Sequence, residues 1–302
     1  MSNIKKIYCF GTSYTAGGGF EFQDLCHDDL YKIYSDVNEE KTQFNFSYPG
    51  QLKKLLKNNN HNIEVVNLAK SGFGKERIYR MIWDVITKTD FKKEETLFII
   101  EWSDVGRKEF FYNELRDYII CNYDYNNGEY GEYHGISYKW NSKAFQKINT
   151  KLENKSDLFR KFINQTTNVV EQIKLAVRNT HNAMGFLEYH GVNMIHTQPV
   201  TCWGPPDFIQ ENYTKYQLFD EAAYGILQWL GDSNETIKKE TRGVINDYHA
   251  GIVGSKKIAI MLYNKMIDNK FIDGHKTSLV NDELYELKKL IYTNSKIIQD
   301  AV

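Results

Sequence analysis

The stretch "IKKIYCFGTSYTAGGG", Ile4–Gly19, decides how the rest of the chain is read. Its first half carries β-branched and aromatic residues bounded by Gly11, the pattern of a buried strand. Its second half sets Ser13 in a turn of small residues. A serine there has a plain reading, a cap for the helix that follows, and two chemical ones. Phosphate binding lacks support, because the segment has neither the lysine of G-x-x-x-x-G-K-[ST] nor the spacing of G-x-G-x-x-G. Nucleophilic attack from a tight turn needs a base supplied by another segment. The stretch is also not the G-x-S-x-G elbow of the α/β-hydrolases.

Working outward, strands and helices alternate. "SYPGQLKKLLK" (Ser47–Lys57) opens on a capping serine with a proline in the first turn, so a helix follows. "IEVVNLA" (Ile63–Ala69) is a second strand. "GKERIYRMIWDVITK" (Gly74–Lys88) carries Ile78, Met81, Ile82, Val85 and Ile86 at helical spacing. "TLFIIEW" (Thr96–Trp102) is a nearly continuous apolar run, as expected of a strand covered on both faces. A long helix over about 156–190, a fourth strand in "VNMIHTQPV" (Val192–Val200) and a helix in "GIVGSKKIAIMLYNKMI" (Gly251–Ile267) complete the pattern. A last helix is expected from about Asn281. The segment 20–46 reads as a loop. Insertions at about 104–155 and 201–245 interrupt the alternation, the first with a hairpin expected around "NNGEYG" (Asn126–Gly131).

Such alternation predicts a single α/β domain over residues 1–302, three layers deep, with a mainly parallel, flavodoxin-like central sheet. Sites in these folds form at the carboxyl ends of the strands. Ser13, Gly72, Ser103 and Pro199 all follow predicted strand ends, so four distant segments are expected at one edge.

The totals exclude several classes. A net charge of −1 over 302 residues gives no general electrostatic case for nucleic acid or an anionic membrane. No apolar run reaches the roughly 20 residues of a membrane helix, and the N-terminus lacks a signal-peptide core. A cytoplasmic protein is therefore expected, with release by lysis or association with a virion as the alternative. The four cysteines, Cys9, Cys26, Cys121 and Cys202, have no C-x-x-C spacing, which argues against zinc and thioredoxin-like sites. No cofactor fingerprint or metal cluster is apparent, and nothing fixes an oligomeric state.

The candidate base lies in "NDYHAGIVGSKKIA" (Asn246–Ala259). Of eight histidines, His249 alone combines a nearby carboxylate (Asp247), a glycine-punctuated turn and a helix start. His196, inside the fourth strand, reads as a packed core residue.

Taken together these segments resemble the SGNH/GDSL hydrolases. "FGTSYTAGG" is similar to that family's first block, G-[DT]-S-x-x-x-G. "VVNLAKSGFG" resembles the second, with Gly72 at its glycine. "FIIEWSD" stands where the third, G-x-N-D, is expected. "DYHAGIVGSKKIA" resembles the last. The resemblance implies the family's fold and a serine esterase. Ser13 is then the nucleophile, His249 the general base and Asp247 the residue that orients the imidazole. The N–H groups of Ser13 and Gly72 would form the oxyanion hole. The chain departs from the family in block three, where Glu101 occupies the usual glycine and Ser103 the usual asparagine. Ser103 Oγ–H is the candidate third donor, with a shorter reach. The family also places its acid three residues before the histidine, which is Asn246 here. Charge favours Asp247 and spacing favours Asn246.

Arg107 and Trp102 are candidate substrate contacts, each weighed against a plain role, a solvated arginine and a core tryptophan. The insertions follow the third and fourth strands and are expected over the active edge. Their aromatics (Tyr123, Tyr125, Tyr130, Tyr133, Trp140, Trp203) suit stacking on sugar rings or a small satellite core. The expected reaction is removal of a small acyl group, such as acetyl, from a carbohydrate. An acyltransferase with the same triad, and a non-catalytic carbohydrate-binding or virion-associated module on the same fold, are the alternatives.

Overall fold

The computed structural model describes residues 3–17, 42–70, 74–103, 107–112, 117–124, 132–136, 169–197, 218, 226, 229–230, 236–240 and 249–278. Four strands form one sheet: β1 (Lys6–Phe10), β2 (Glu64–Asn67), β3 (Thr96–Glu101) and β7 (Asn193–Thr197). Their spatial order is β2-β1-β3-β7 and every pairing is parallel. The expected parallel, doubly covered sheet is the one that forms.

Alternation along the strands explains the two cores. Ile7 and Cys9 of β1, Leu97 and Ile99 of β3, and Ile195 of β7 point to one face. There they meet Leu52 and Leu56 of α3 (Tyr48–Asn58) and Ile258, Leu262 and Met266 of α7 (Ile252–Asp268). Phe10, Phe98, Ile100 and Met194 point to the other face. They pack on Ile78, Ile82 and Val85 of α4 (Lys75–Lys88) and on Ala183, Met184 and Leu187 of α5 (Val169–Tyr189). Burial on both sides is why β3 is apolar throughout its middle. Fully burying aliphatic or aromatic side chains like these contributes roughly 1.5–3 kcal/mol each.

Local signals set the helix ends. Ser47 caps α3, its Oγ accepting the Gly50 N–H at 3.5 Å, and Pro49 sits in the first turn. The segment expected as a loop over 20–46 contains a short helix at its end, α2 (Thr42–Phe46). Side-chain bonds from the next helix and its cap hold it: Gln51 Nε2 donates to Asn45 O at 2.6 Å and Ser47 Oγ to Phe44 O at 2.6 Å. Those partners lie outside α2, so the helix carries little signal of its own.

The first insertion builds a second sheet. β4 (Arg107–Tyr112), β5 (Asp117–Asp124) and β6 (Glu132–Ile136) run antiparallel in that order. The β5–β6 pair is the expected hairpin, its connection spanning "NNGEYG". The additional strand, β4, begins four residues after Ser103 and touches α4. Within the second insertion a four-residue helix, α6 (Ile237–Glu240), is described, and α1 (Ser13–Ala16) follows β1. The expected helix near Asn281 and residues 156–168 of the long helix fall outside the described residues.

Candidate active site

Ser13 is the first residue of α1, three residues beyond the end of β1, and is 7% exposed. The cap position belongs to Thr12, so the plain reading of Ser13 as a helix cap does not hold. Thr12 itself makes no side-chain cap bond. Its hydroxyl instead donates to Glu101.

Glu101, the last residue of β3, organises this turn. Its carboxylate accepts the backbone N–H of Thr12 at 3.2 Å and of Thr15 at 2.8 Å. It also accepts both threonine hydroxyls. Four donors from residues on either side of Ser13 thus converge on one carboxylate that is fully buried. Because the single hydroxyl proton of Thr15 goes to Glu101, Tyr48 must donate into Thr15 Oγ1, at 2.5 Å. Burial raises the Glu101 carboxyl above the usual glutamate range, against the opposing pull of the threonine donors. Burial, and next the charge of Glu101, hold the Tyr48 phenol well above its ordinary value.

This packing requires glycine at position 11. A Cβ there would lie 2.2 Å from Thr15 Oγ1 and 2.7 Å from Glu101 Oε2. Gly17 ends α1 with φ 87°, in the left-handed region. The second block is tied to the first. Lys70 N donates to Gly11 O at 3.3 Å, and Asn67 Nδ2 donates to Thr15 O at 2.9 Å. The chain therefore runs beside the serine turn until two residues before Gly72. Gly72 itself, with Asn246 and Asp247, is outside the described residues.

His249 is half-buried at the same edge. Its ring lies 4.9 Å from that of Tyr14, the residue after Ser13, tilted by 44°. The histidine segment is anchored by its backbone: Ile237 N donates to His249 O at 2.9 Å, and Thr236 bridges Ala250. A second buried glutamate supports it. Glu240 accepts the N–H of Val253 at 3.3 Å and of Gly254 at 2.9 Å, capping the first turn of α7. Gly251 makes room, since a Cβ there would fall 2.1 Å from the Glu240 carboxyl carbon.

The two strand-end segments thus meet: the turn holding Ser13 and the turn holding His249 touch through Tyr14. Ser103, two residues past Glu101, is completely buried. Trp102 is 1% exposed and joins the α4–α5 core while also lining a cavity there. Arg107 opens β4, paired with Asn122. His196 is buried in β7 beside Ile100, as a core histidine. Sequence reasoning missed Glu101 as a support and missed Glu240 entirely. The available signal was weak but real: a carboxylate closing an otherwise apolar strand has to find donors or neutralise.

No family model and no curated protein sequence matches this chain. Among solved structures it is similar to the psychrotrophic esterase EstA from Pseudoalteromonas sp., in a structure inhibited by monoethylphosphonate. The TM-score is 0.38 and the identity 12%, over 88% of this chain and 98% of that one.

Proposed function

We propose that the chain is a serine esterase of the SGNH type, acting on small acyl esters of a carbohydrate. The observation that carries this reading is the meeting of two distant segments at the carboxyl edge of a parallel sheet. The ring of His249 rests 4.9 Å from that of Tyr14, next in sequence to Ser13. A hydroxyl and an imidazole on neighbouring turns of this kind are the minimal equipment for acyl transfer. In the proposed cycle Ser13 Oγ attacks the ester carbonyl while His249 takes its proton. His249 then returns the proton to the leaving alcohol, and water repeats the sequence on the acyl-enzyme. Asp247 steadies the imidazolium. The N–H groups of Ser13 and Gly72, with Ser103, receive the oxyanion. Arg107 and Trp102 are proposed to contact the substrate.

The test is reaction of intact protein with a fluorophosphonate, followed by mapping of the modified residue. Phosphonylation of Ser13, lost in Ser13→Ala with little change in Tm, supports the reading. Equal labelling of both proteins, or labelling elsewhere, overturns it.

A further inference from the structure

We propose that Tyr14 is a positioning residue for His249: its ring seats the imidazole beside the Ser13 turn and stabilises the imidazolium formed when the base takes a proton. The use of this pairing in acyl transfer rests on the esterase reading; the pairing itself does not.

The contact comes first. The two ring centroids lie 4.9 Å apart, tilted by 44°. That is inside the spacing of interacting aromatic pairs, roughly 4.5–7 Å. It is also inside the reach of about 6 Å over which a phenol ring attracts a cation. A neutral imidazole gains only packing from such a neighbour, whereas a protonated one gains the pull of the ring's electrons as well. The contact therefore favours the charged form over the neutral one. Both rings are held in place by the backbones that carry them. On the tyrosine side, Glu101 accepts the N–H groups of Thr12 and Thr15, which flank Ser13 and Tyr14. Asn67 Nδ2 adds a bond to Thr15 O at 2.9 Å. The half-buried Tyr14 ring also packs against the core beneath α3 and α7. On the histidine side, Ile237 N bonds His249 O at 2.9 Å and Thr236 bridges Ala250. Little side-chain freedom is left to lose when the imidazole is charged.

Placement in the chain gives the pairing its role. Asp247 and Asn246, the candidates for the acid, belong to the histidine's own segment. They can orient the imidazole only relative to that segment. Tyr14 belongs to the turn of Ser13, so its ring sets the imidazole relative to the nucleophile. In the acylation step the Ser13 O–H bond breaks as Oγ bonds the carbonyl carbon, and the carbonyl electron pair moves onto oxygen. The proton passes to the imidazole, whose new charge lies beside the Tyr14 ring. The same proton leaves on the alcohol as the carbon–oxygen bond to it breaks. An interaction stronger with the cation than with the neutral base lowers the barrier between them.

The test compares Tyr14→Phe, which keeps a ring, with Tyr14→Leu, which keeps apolar bulk without one. Both are first checked for folding by circular dichroism. The titration of the His249 imidazole is followed by NMR, its signal assigned by its loss in His249→Gln. The midpoint should lie about 0.7 of a pH unit lower in Tyr14→Leu than in Tyr14→Phe, which is about a fivefold weaker hold on the proton. On p-nitrophenyl acetate the plateau kcat should be about fivefold lower in Tyr14→Leu than in Tyr14→Phe, with similar KM. The acid limb of kcat/KM should move down with the NMR midpoint. A loss of packing alone would lower the plateau and leave limb and midpoint in place. The neighbouring carboxylates, Glu240 against Gly251 and Glu101 beneath the serine turn, are common to both variants, so the difference reports the ring. Equal midpoints in the two folded variants overturn the proposal, as does equal kcat in proteins whose Ser13 reacts with fluorophosphonate. The midpoint shift in a protein whose Ser13 fails to react would remove the esterase reading and leave the Tyr14–His249 pairing standing.

Discussion

The carboxylate of Glu101 accepts the backbone N–H of Thr15 at 2.8 Å, across 86 residues of chain. With the bond from Thr12 it fixes the backbone on both sides of Ser13. Removing it strands two buried amides that cannot turn elsewhere, at about 1–3 kcal/mol each. Glu101→Ala should therefore lose about 2–6 kcal/mol of stability in denaturant unfolding. Unchanged stability would mean that the amides find other acceptors.

The same carboxylate makes stability depend on pH. A carboxyl whose folded-state pKa lies above its unfolded value stabilises the fold fully below the unfolded pKa. That contribution is lost as pH rises through the folded pKa. Burial raises Glu101, and an unfolded glutamate titrates near roughly 4.3. The Tm advantage of wild type over Glu101→Gln should thus shrink as pH rises from about 4 toward 7. Melting curves of both proteins across that range check it; a constant difference would mean that Glu101 titrates normally.

Two glycines sit against the two buried glutamates. Alanine at position 11 would collide with Thr15 and Glu101, and at position 251 with Glu240. Each substitution should cost about 1–3 kcal/mol, the range for overpacked sites. Gly11→Ala should also slow labelling of Ser13, because the turn must shift to accommodate the methyl. Full stability together with full labelling would contradict the tight packing.

Ser103 is completely buried next to Trp102. If it donates to the oxyanion, Ser103→Ala should lower kcat more than it raises KM, since the bond strengthens as charge develops. Steady-state kinetics on p-nitrophenyl acetate decide. An unchanged kcat assigns the oxyanion to backbone donors alone.

The acid that serves His249 is either Asp247 or Asn246. An amide can orient an imidazole but carries no charge to stabilise its cation. In a serine protease triad, exchanging the aspartate for asparagine lowers kcat about 10⁴-fold. Asp247→Asn is expected to show a fall of that order and Asn246→Ala a much smaller one, both read as kcat on p-nitrophenyl acetate. The reverse ranking would end the triad in an amide.

Much of the frame was legible because it depends on local pattern. "IKKIYCF", "IEVVNLA", "TLFIIEW" and "VNMIHTQPV" each become a strand of the central sheet, since short runs rich in β-branched and apolar residues, closed by glycine, proline or polar residues, have few other places to go. The helix of Tyr48–Asn58 was readable from Ser47 and Pro49. α2 was not, because its stabilising partners lie in the following helix and its cap. β4 was not, because "RKEFFY" is a strand only once β5 lies against it.

By itself the sequence determined the alternation of strands and helices, and with it a parallel sheet whose carboxyl edge gathers Ser13 and Ser103. Hydrophobic periodicity is enough for that, being a property of neighbours along the chain. Only the tertiary structure decided what supports the edge. Glu101 reaches Thr12 and Thr15 across more than eighty residues, Glu240 caps a helix that starts twelve residues later, and Tyr14 meets His249 from the opposite end of the chain. A buried carboxylate must find donors wherever packing brings them. The chain order records none of those distances until the sheet has formed.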